Sequence, residues 1–459
     1  MSSPCQNAPA SNSLPADAVF PLPLTPFELY YYLDDRPACP TTFPVELLFT
    51  GTLDRERFYA ALEETVRRHP LLRAAIDDRS GTPRWVPAAG EQPFIDWDDS
   101  TAPITHPDGE FIDLKSAPGL RTWVRTSPGQ ARVLFQFHHA CCDGLAALEM
   151  VKDLLAAYKG DQPIKRDAEL LRRRGDIVPP DTPKPSLAVS VRDALYTLNV
   201  WSWILLQQPV PLAAPAGASK PSPDPILPFV VATLSAAESR GLRDLAASHG
   251  VSSNDLLLRD WLVALRRWNE THAGSARGRL KVNVPVSLRT RDEARMPAAN
   301  RLGYAFVTDD GTATDDAALL EVVRSETHRI KDWKLALYFL GGLTLASGFR
   351  SAIRWVLSRN ASLATAVLSN VGRFAPERSL KRGQKWTCGD LVLDRVCGAP
   401  PIRKLTRAAM IVIEYGGATT FCLRCDPQHF AASDTQALLD AFLGQVRRTI
   451  ASSDKAEPK

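Results

Sequence analysis

A strand pattern that runs into a helix pattern through a short polar turn is the feature that most restricts the fold of this chain. Apolar residues alternate through residues 131–139, ARVLFQFHH, as they do in a half-buried strand. In residues 145–160, LAALEMVKDLLAAYKG, apolar residues recur with helical spacing, and Gly160 is suited to end a helix. A strand followed at once by an amphipathic helix predicts an α/β fold.

The elements of the chain fall into two halves that are joined by a proline-rich segment. With 459 residues, the chain is too long for a single core. Both halves carry strand and helix patterns, whereas prolines crowd the segment between them. The sequence therefore predicts a disordered tail at 1–18, an N-terminal α/β subdomain at 19–174, an extended crossover with one apolar helix at 175–228, and a C-terminal α/β subdomain at 229–453.

The charge and the cysteines exclude several classes of protein. A formal net charge of +4 over this length leaves no concentrated basic face, so we expect no nucleic-acid partner. The eight cysteines are dispersed, which does not fit a small disulfide scaffold and favours a reducing, cytoplasmic compartment. Cys422 and Cys425 form a C-x-x-C pair, but their alternating, strand-like surroundings and the lack of a second pair argue against a metal or redox site. The first residues lack the features of a signal peptide.

Two uncharged segments come close to the length of a membrane span. Residues 194–212 and 335–349 carry no charge, but neither gives about 20 uninterrupted apolar residues, so we expect no membrane-spanning helix. We interpret both segments as buried helices. The alternative is an amphipathic surface that contacts lipid or an apolar substrate, which leaves peripheral membrane contact open.

The two histidines at the strand end favour acid–base chemistry over metal binding. Because side chains alternate along a strand, His138 and His139 point to opposite faces and cannot easily bind one metal. An imidazole with an ordinary pKa of about 6.5 accepts a proton at physiological pH and hands it to a leaving group. Asp143 could pair with an arginine and brace the turn, and Gly144 supplies backbone freedom before the helix. The alternative is a pair of buried structural histidines.

The turn HHACCDG, residues 138–144, resembles the HHxxxDG motif of the CoA-dependent acyltransferase superfamily. That superfamily includes chloramphenicol acetyltransferase-like enzymes, condensation domains of peptide synthetases, wax ester synthases and alcohol O-acetyltransferases. Further segments resemble the family in the same order and, with the motif, cover most of residues 20–450: TPFELYYY, HPLLR, VSSNDLLLRDWLVAL, NVPVSLRTR and SNVGRF. The DFGWG motif of the plant-type branch is absent from the sequence, so a plant-type enzyme is not expected.

The resemblance implies a role for four residues of the motif and for Arg289 in the second half of the chain. His139 would be the general base that removes a proton from an acceptor hydroxyl or amine. Asp143 would point away from the substrate and pair with Arg289, which keeps the loop in shape. His138 would be structural, and Gly144 would leave room near the reacting centre.

The resemblance also places Ser369 and Asn370 where the second half of the family faces the channel. A hydroxyl or amide there could stabilise the oxyanion that develops during acyl transfer. The alternative is local hydrogen bonding, which is common for Ser and Asn in a turn. Cys141 and Cys142 fill variable positions of the motif, and a covalent cysteine intermediate is not expected because the family transfers the acyl group directly.

The fold implied by the resemblance is a pair of chloramphenicol-acetyltransferase-like α/β sandwiches in a V around a central active-site tunnel. The implied activity is that of a stand-alone acyltransferase, which needs no cofactor and moves an acyl group from an acyl thioester such as acyl-CoA to a small-molecule hydroxyl to form an ester. An amine acceptor with an acyl carrier protein as donor would give an amide by the same chemistry. The motif also leaves open a thioester hydrolase, in which water replaces the acceptor, and a non-catalytic protein that keeps the fold.

Overall fold

Two six-stranded β-sheets with their helices form the cores of two lobes, which confirms the predicted α/β fold. The tail predicted at 1–18 lies outside the described residues, except that 16–18 belong to the short 3-10 helix Ala16–Val19. Part of the predicted crossover at 175–228 also lies outside them. The computed structural model describes residues 16–79, 81–88, 92–176, 187–215, 228–274, 278–332, 334–348, 350–358, 362–403 and 405–453.

The first lobe carries the strand and the helix that flank the His-His turn. In chain order, its elements are β1 (Leu22–Pro23), α1 (Pro26–Asp34), β2 (Thr42–Thr50), α2 (Arg55–Arg68), β3 (Ala74–Asp77), β4 (Arg84–Pro87), β5 (Phe94–Asp98), β6 (Leu120–Ser127), β7 (Gln130–His138) and α3 (Gly144–Lys159). Strands β1, β4 and β3 form a separate small sheet.

Side-chain caps begin α2 and α3. Asp54 accepts a hydrogen bond of 2.7 Å from the backbone N–H of Arg57 at the start of α2. Asp143 accepts one of 3.0 Å from the backbone N–H of Ala146 at the start of α3. Gly160 follows α3 in the left-handed conformation, with a φ of 86°. The predicted start and end of α3 are therefore confirmed.

The remaining elements include a long crossover helix, α4, and the sheet of the second lobe. In chain order they are α4 (Leu187–Leu206), β8 (Val230–Leu234), α5 (Ala236–Ser248), α6 (Ser253–Ala273), β9 (Leu280–Ser287), β10 (Leu302–Asp309), α7 (Asp316–Asp332), α8 (Leu335–Ser347), α9 (Arg350–Ser358), β11 (Ala366–Arg373), β12 (Thr387–Cys388), β13 (Leu391–Gly398), β14 (Ala408–Tyr415), β15 (Ala418–Cys425) and α10 (Ala432–Ser453).

Part of the second half of the chain extends the sheet of the first lobe. That sheet has the strand order β12-β13-β2-β7-β6-β5, so residues 387–398 cross over and β13 pairs antiparallel with β2. The approach is close, because a Cβ at Gly398 would lie 2.7 Å from the carbonyl oxygen of Pro44. The sequence pattern places 387–398 in the C-terminal subdomain, but hydrogen bonding to β2, which would otherwise be an open edge, brings them into the first lobe.

The sheet of the second lobe has the order β10-β9-β11-β14-β15-β8. Gly416 and Gly417 form the hairpin turn between β14 and β15, with φ values of 58° and 85°. Strand β11 lies between β9 and β14 and is parallel to both. Ser369 and Asn370 therefore lie within a central strand. The sequence pattern predicts a turn at these residues, and that prediction is wrong.

Helix α4 packs on α8 through an aromatic inner face. The indole of Trp201 stacks on Phe339 with 5.0 Å between the ring centroids, and its N–H donates to the carbonyl oxygen of Phe339 at 3.2 Å. A Cβ at Gly342 would lie 1.7 Å from the indole nitrogen, so glycine is required at this crossing. Tyr196 packs edge-on against Tyr338, with 4.6 Å between the centroids.

The outer face of α4 is exposed, so the expectation of a wholly buried helix is wrong. Leu195, Leu198 and Leu206 have exposed fractions of 63%, 59% and 75%. The helix packs on α8 along one side, and its uncharged pattern does not reveal that the other side faces solvent. In α8, Ala336, Phe339 and Leu343 are buried, but Leu345 has an exposed fraction of 53%, so the expectation of a buried helix holds only in part. No helix in the described part of the chain is long and apolar enough to cross a membrane.

Candidate active site

His139 follows β7 and is enclosed by aromatic side chains of α1 and β2. Its ring stacks on Tyr31 of α1, with 4.1 Å between the centroids and 15° between the planes. Phe43 of β2 lies at 4.9 Å and is tilted to the imidazole. The exposed fraction of His139 is 9%, so packing rather than solvent sets the orientation of its ring.

The Nε2 atom of His139 faces two tyrosine hydroxyls. It lies 3.3 Å from Oη of Tyr31, which in turn hydrogen bonds to Oη of Tyr304 from β10 of the second lobe. Burial raises the pKa of both phenols, so both keep their protons at physiological pH. The imidazole is thus presented to O–H groups where the two lobes meet.

Burial keeps the imidazole of His139 neutral. It lowers the pKa of His139 to about 4, although the negative charge of Asp143, the backbone carbonyl of His139 and Asn300 act in the opposite direction. A neutral imidazole has a lone pair that accepts a proton. Because the same burial opposes the charged form, a proton taken up during a reaction is readily passed on.

Hydrogen bonds from both lobes fix the backbone around His139. The N–H of His139 donates to the carbonyl oxygen of Thr41 at 2.9 Å. The side-chain amide of Asn300, in the second lobe, donates to the carbonyl oxygens of His139 at 2.8 Å and Ala140 at 2.9 Å. Asn300 is buried, and its amide satisfies two carbonyls of the turn. The position of the imidazole therefore depends on the second lobe.

Asp143 binds the second lobe and makes no hydrogen bond to His139. Its Oδ2 atom accepts from the backbone N–H of Arg301 at 2.8 Å and lies 2.9 Å from Nη1 of Arg289, while Oδ1 caps α3. The Arg289 guanidinium also donates to the carbonyl oxygen of Ala299 at 2.9 Å. The structure thus brings Asp143 and Arg289 together, in the pairing that the resemblance implies.

His138 is buried and faces groups of the first lobe. Its Nε2 atom lies 3.1 Å from Oδ2 of Asp35, and its Nδ1 atom accepts from the backbone N–H of Ala140 at 3.1 Å. Asp35 also accepts from the N–H of Thr41 at 2.7 Å, and the carbonyl of Thr41 holds His139. These contacts brace the turn, which fits a structural part for His138.

Gly144 borders open space, whereas the two cysteines of the turn are buried. A Cβ at Gly144 would meet no atom within 4 Å, so open space lies beside the first turn of α3. Cys141 and Cys142 are fully buried, and burial raises the pKa of both thiols well above their ordinary range. A buried, protonated thiol is a poor nucleophile, which argues against a covalent cysteine intermediate.

Ser369 and Asn370 are not brought into contact with His139. The Asn370 amide donates to the side chain of Asn254 at 3.2 Å, and its Oδ1 atom accepts from the N–H of Gly372 at 2.9 Å. The register of β11 against β14 shifts between Asn370 and Gly372. Local hydrogen bonding at this irregularity accounts for the contacts of Asn370, and oxyanion stabilisation by either residue stays a prediction.

A cleft of about 650 Å³ borders the Asp143–Arg289 pair. It lies between α3 and residues 373–379 of the second lobe, and Ala146 and Arg289 line it. A second cleft of about 640 Å³ lies around Arg125 and Arg132. His139 lines neither cleft, so the central tunnel stays a prediction.

A buried histidine outside the motif supports the segment that carries Asn300. The Nδ1 atom of His69 accepts from the backbone N–H of Ala298 at 2.8 Å, and its Nε2 atom lies 3.1 Å from Oδ2 of Asp153. Arg166 binds the same carboxylate through two hydrogen bonds of 2.7 and 2.9 Å. Side chains of the first lobe thus hold the second-lobe segment that fixes His139.

No spacing rule in the sequence points to Tyr31, Tyr304, Asn300 or His69. Tyr31 is one of three consecutive tyrosines, and the sequence does not reveal which of them faces the base. Tyr31 lies in TPFELYYY and His69 in HPLLR, two segments that carry the family resemblance. This resemblance is the one signal in the sequence that marks them. Asn300 and Tyr304 lie outside those segments.

Comparison with protein-family models gives no match. An uncharacterized protein of Mycobacterium tuberculosis is 26% identical over 377 residues, which are 77% of this chain and 83% of that protein. Surfactin synthase subunit 2 of Bacillus subtilis is 32% identical over 135 residues, which are 28% of this chain and 4% of that protein. The chain therefore spans a small fraction of the synthetase that it matches.

Solved structures establish the fold. The trichothecene 15-O-acetyltransferase of Fusarium sporotrichioides matches with a TM-score of 0.68 at 14% identity, over 93% of this chain and 95% of that one. The condensation domain from Monacolin K polyketide synthase MokA matches with a TM-score of 0.64 at 12% identity, over 94% and 97%. This chain has the condensation-domain and acyltransferase fold. The starter condensation domain of rhizomide synthetase, in complex with C8-CoA and Leu-SNAC, matches with a TM-score of 0.64 at 12% identity, over 95% and 96%.

The condensation-domain fold of this chain divides the candidate site between its two lobes. His139 and Asp143 come from the turn of the first lobe, whereas Asn300 and Arg289, which hold them, come from the second. The site is therefore complete only when the lobes are in contact.

Proposed function

We propose that this protein is an acyltransferase that moves an acyl group from a thioester to an acceptor hydroxyl, with His139 as the general base. The observation that carries the proposal is the environment of Nε2 of His139: a buried, neutral imidazole, fixed by both lobes, faces a hydroxyl group. Such an imidazole is suited to remove a proton from an O–H group.

The Tyr31 hydroxyl marks the position that the acceptor hydroxyl would take. It lies 3.3 Å from Nε2 and hydrogen bonds to the hydroxyl of Tyr304. The acceptor oxygen then attacks the thioester carbonyl carbon while its proton passes to Nε2 of His139. The tetrahedral intermediate breaks at the C–S bond, and the thiol leaves with the proton that Nε2 returns. The acyl group ends on the acceptor, and the imidazole is restored.

Asp143 and Arg289 would act as positioning residues. Their ion pair joins the turn to the second lobe, and neither carboxylate oxygen hydrogen bonds to His139. The negative charge of Asp143 nevertheless favours the protonated imidazole, which lowers the cost of the step in which His139 takes the proton.

The thioester donor would bind in the cleft beside α3. Its volume of about 650 Å³ lies within the range of small-molecule sites. Arg373 and Arg378 line it and would bind a phosphate-bearing arm such as that of CoA. Acidic side chains also line it, among them Glu149, Asp161 and Glu377, and Lys152 is paired with Glu149 at 2.7 Å.

The second candidate function is amide formation with a carrier-bound donor. The similarity of this chain to part of surfactin synthase subunit 2 supports this candidate.

The test is thiol release from a panel of acyl-CoAs and an acyl-loaded carrier protein, each with pooled alcohols and amines, for the wild type and His139→Ala. We expect acceptor-dependent release from acyl-CoA and product masses of esters. Amide masses, or release only from the carrier, would instead support the second candidate. Release without any acceptor would identify a hydrolase, and a wild type that is inert with every donor would contradict acyl transfer.

A further inference from the structure

Helix α4 presents an exposed apolar stripe that the acyl-transfer site does not use. The stripe consists of Val191, Leu195, Leu198 and Leu206, with exposed fractions of 51%, 63%, 59% and 75%. Their spacing places all four on one side of the helix. Single exposed apolar residues are ordinary, whereas several large ones on one face mark an interaction surface. Here the exposed Ser202 separates Leu206 from the other three.

We propose that this stripe is a docking surface for an anionic lipid bilayer. A helix that lies in the plane of a bilayer inserts one apolar face to the depth of the acyl-chain boundary, with cations beside it at the level of the head groups. The stripe supplies the apolar face, and the junction between α7 and the neighbouring helix α8 supplies the cations.

Two exposed lysines lie where α7 ends and α8 begins, Lys331 in the last turn of α7 and Lys334 just before α8. The contact between Tyr196 of α4 and Tyr338 of α8 places these two helices together. Lys331 and Lys334 are exposed, and neither forms an ion pair within the described part of the chain. Asp332 is the exposed acidic residue between them. Each Lys near an anionic bilayer strengthens binding roughly five-fold.

The inner face of α4 holds the stripe in its exposed position. Besides the contact of Trp201 with α8, the buried ammonium of Lys281 donates to the carbonyl oxygen of Gln207 at 2.7 Å, just past the end of the helix. It also lies 4.7 Å from the ring centroid of Trp203. A cation at a helix C-terminus stabilises the helix dipole. The stripe therefore belongs to a helix that is anchored on the second lobe.

The dimensions of the stripe favour a bilayer over a second protein chain. Four aliphatic side chains on one helix expose less area than the ~800 Å² that each partner buries in a stable protein interface. Specific protein interfaces also contain polar rims and about ten hydrogen bonds. A bilayer needs neither, because insertion of the apolar side chains supplies the binding free energy.

A mostly apolar cavity of about 240 Å³, also lined by Asn199 and Arg329, lies under the same helix. Val200 and Trp203 of α4 line it together with Phe306 and Tyr304 of β10. The hydroxyl of Tyr304 contacts that of Tyr31, next to His139. A protein docked through α4 would hold this cavity between the lipid and the base, which points to a substrate with a long apolar chain. This assignment of the substrate class rests on the proposed function, whereas the docking surface does not.

Vesicle flotation of the full chain tests the docking surface. Wild type, Leu195→Glu/Leu198→Glu and the matched control Val322→Glu, which changes an exposed apolar residue of α7, are each mixed with phosphatidylcholine vesicles with and without phosphatidylglycerol. We expect the wild type and the control to float with the anionic vesicles, and high salt to weaken binding. The double variant should partition at least about 100-fold less, because burial of each of the two Leu side chains is worth roughly a factor of ten or more.

Three results would overturn the proposal. In the first, the wild type does not float with anionic vesicles. In the second, the double variant floats as well as the wild type. In the third, light scattering would show a wild-type dimer that the double variant loses, which would identify the stripe as a protein interface. Thiol release with short, soluble substrates should be equal in the wild type and the double variant, so a failure of docking and a failure of the proposed acyl transfer are read separately.

Discussion

Asn300 of the second lobe donates two hydrogen bonds to the turn of the first lobe, to the carbonyl oxygens of His139 at 2.8 Å and Ala140 at 2.9 Å. The proposed base and the amide that places it are thus separated by 161 residues of sequence. Any movement that separates the lobes also moves the imidazole.

Asn300→Ala should lower kcat about 10- to 100-fold, because two carbonyls lose their donor and the imidazole shifts from its position. The free energy of unfolding should fall by about 1–3 kcal/mol. Steady-state kinetics and urea unfolding measure the two effects. The control is Asn283→Ala, at a buried asparagine of β9, which should lose stability without the loss in kcat. An unchanged kcat in Asn300→Ala would contradict this role.

Asp143 and Arg289 should behave as one unit. Asp143→Asn and Arg289→Gln each break the ion pair of 2.9 Å, and we expect either to lower kcat about 10- to 100-fold. The double variant should be little worse than either single variant, since the second change removes an interaction that is already lost. Arg291→Gln, at an exposed arginine nearby, is the matched control. Strictly additive effects in the double-mutant cycle would show that the pair does not act together.

The pKa of His139 gives a pH profile that differs from that of an ordinary histidine. Burial lowers this pKa from 6.5 to about 4, so the base stays neutral and kcat/KM should remain flat from pH 7 to about pH 5, then fall near pH 4. The unfolded chain binds more protons in this window. The stability from this group is therefore complete above pH 6.5 and lost as the pH falls towards 4. Circular dichroism at each pH separates unfolding from titration, and an inflection of kcat/KM near 6.5 would contradict a buried base.

The sequence predicts the local part of the site well. The left-handed Gly160 at the end of α3 follows from its residue type and position, and the structure has it. Contacts across the lobes have no such signal, because Tyr31 and Tyr304 are 273 residues apart and nothing in their spacing couples them. The outward face of α4 could not be predicted either, since an uncharged helix has the same pattern whether it meets a core, a lipid or water.

Tyr31→Phe should retain transfer activity. It keeps the ring that stacks on His139 at 4.1 Å but removes the hydroxyl that lies 3.3 Å from Nε2. Because this hydroxyl occupies the place of the acceptor, we expect the KM for the acceptor to fall a few-fold and kcat to change little. Tyr31→Ala removes the stacking as well and should lower kcat. A large loss of kcat in Tyr31→Phe would show that the hydroxyl takes part in the reaction itself.

The most direct test of the central claim is the rate of acceptor-dependent thiol release from an acyl thioester in a single turnover, compared between the wild type, His139→Ala and the control His249→Ala. Loss of a general base is worth about two to four orders of magnitude. We expect that loss in His139→Ala alone, with product mass showing the acyl group on the acceptor in the wild type. Equal rates in the wild type and His139→Ala would show that His139 is not the base, and the proposed mechanism would be wrong.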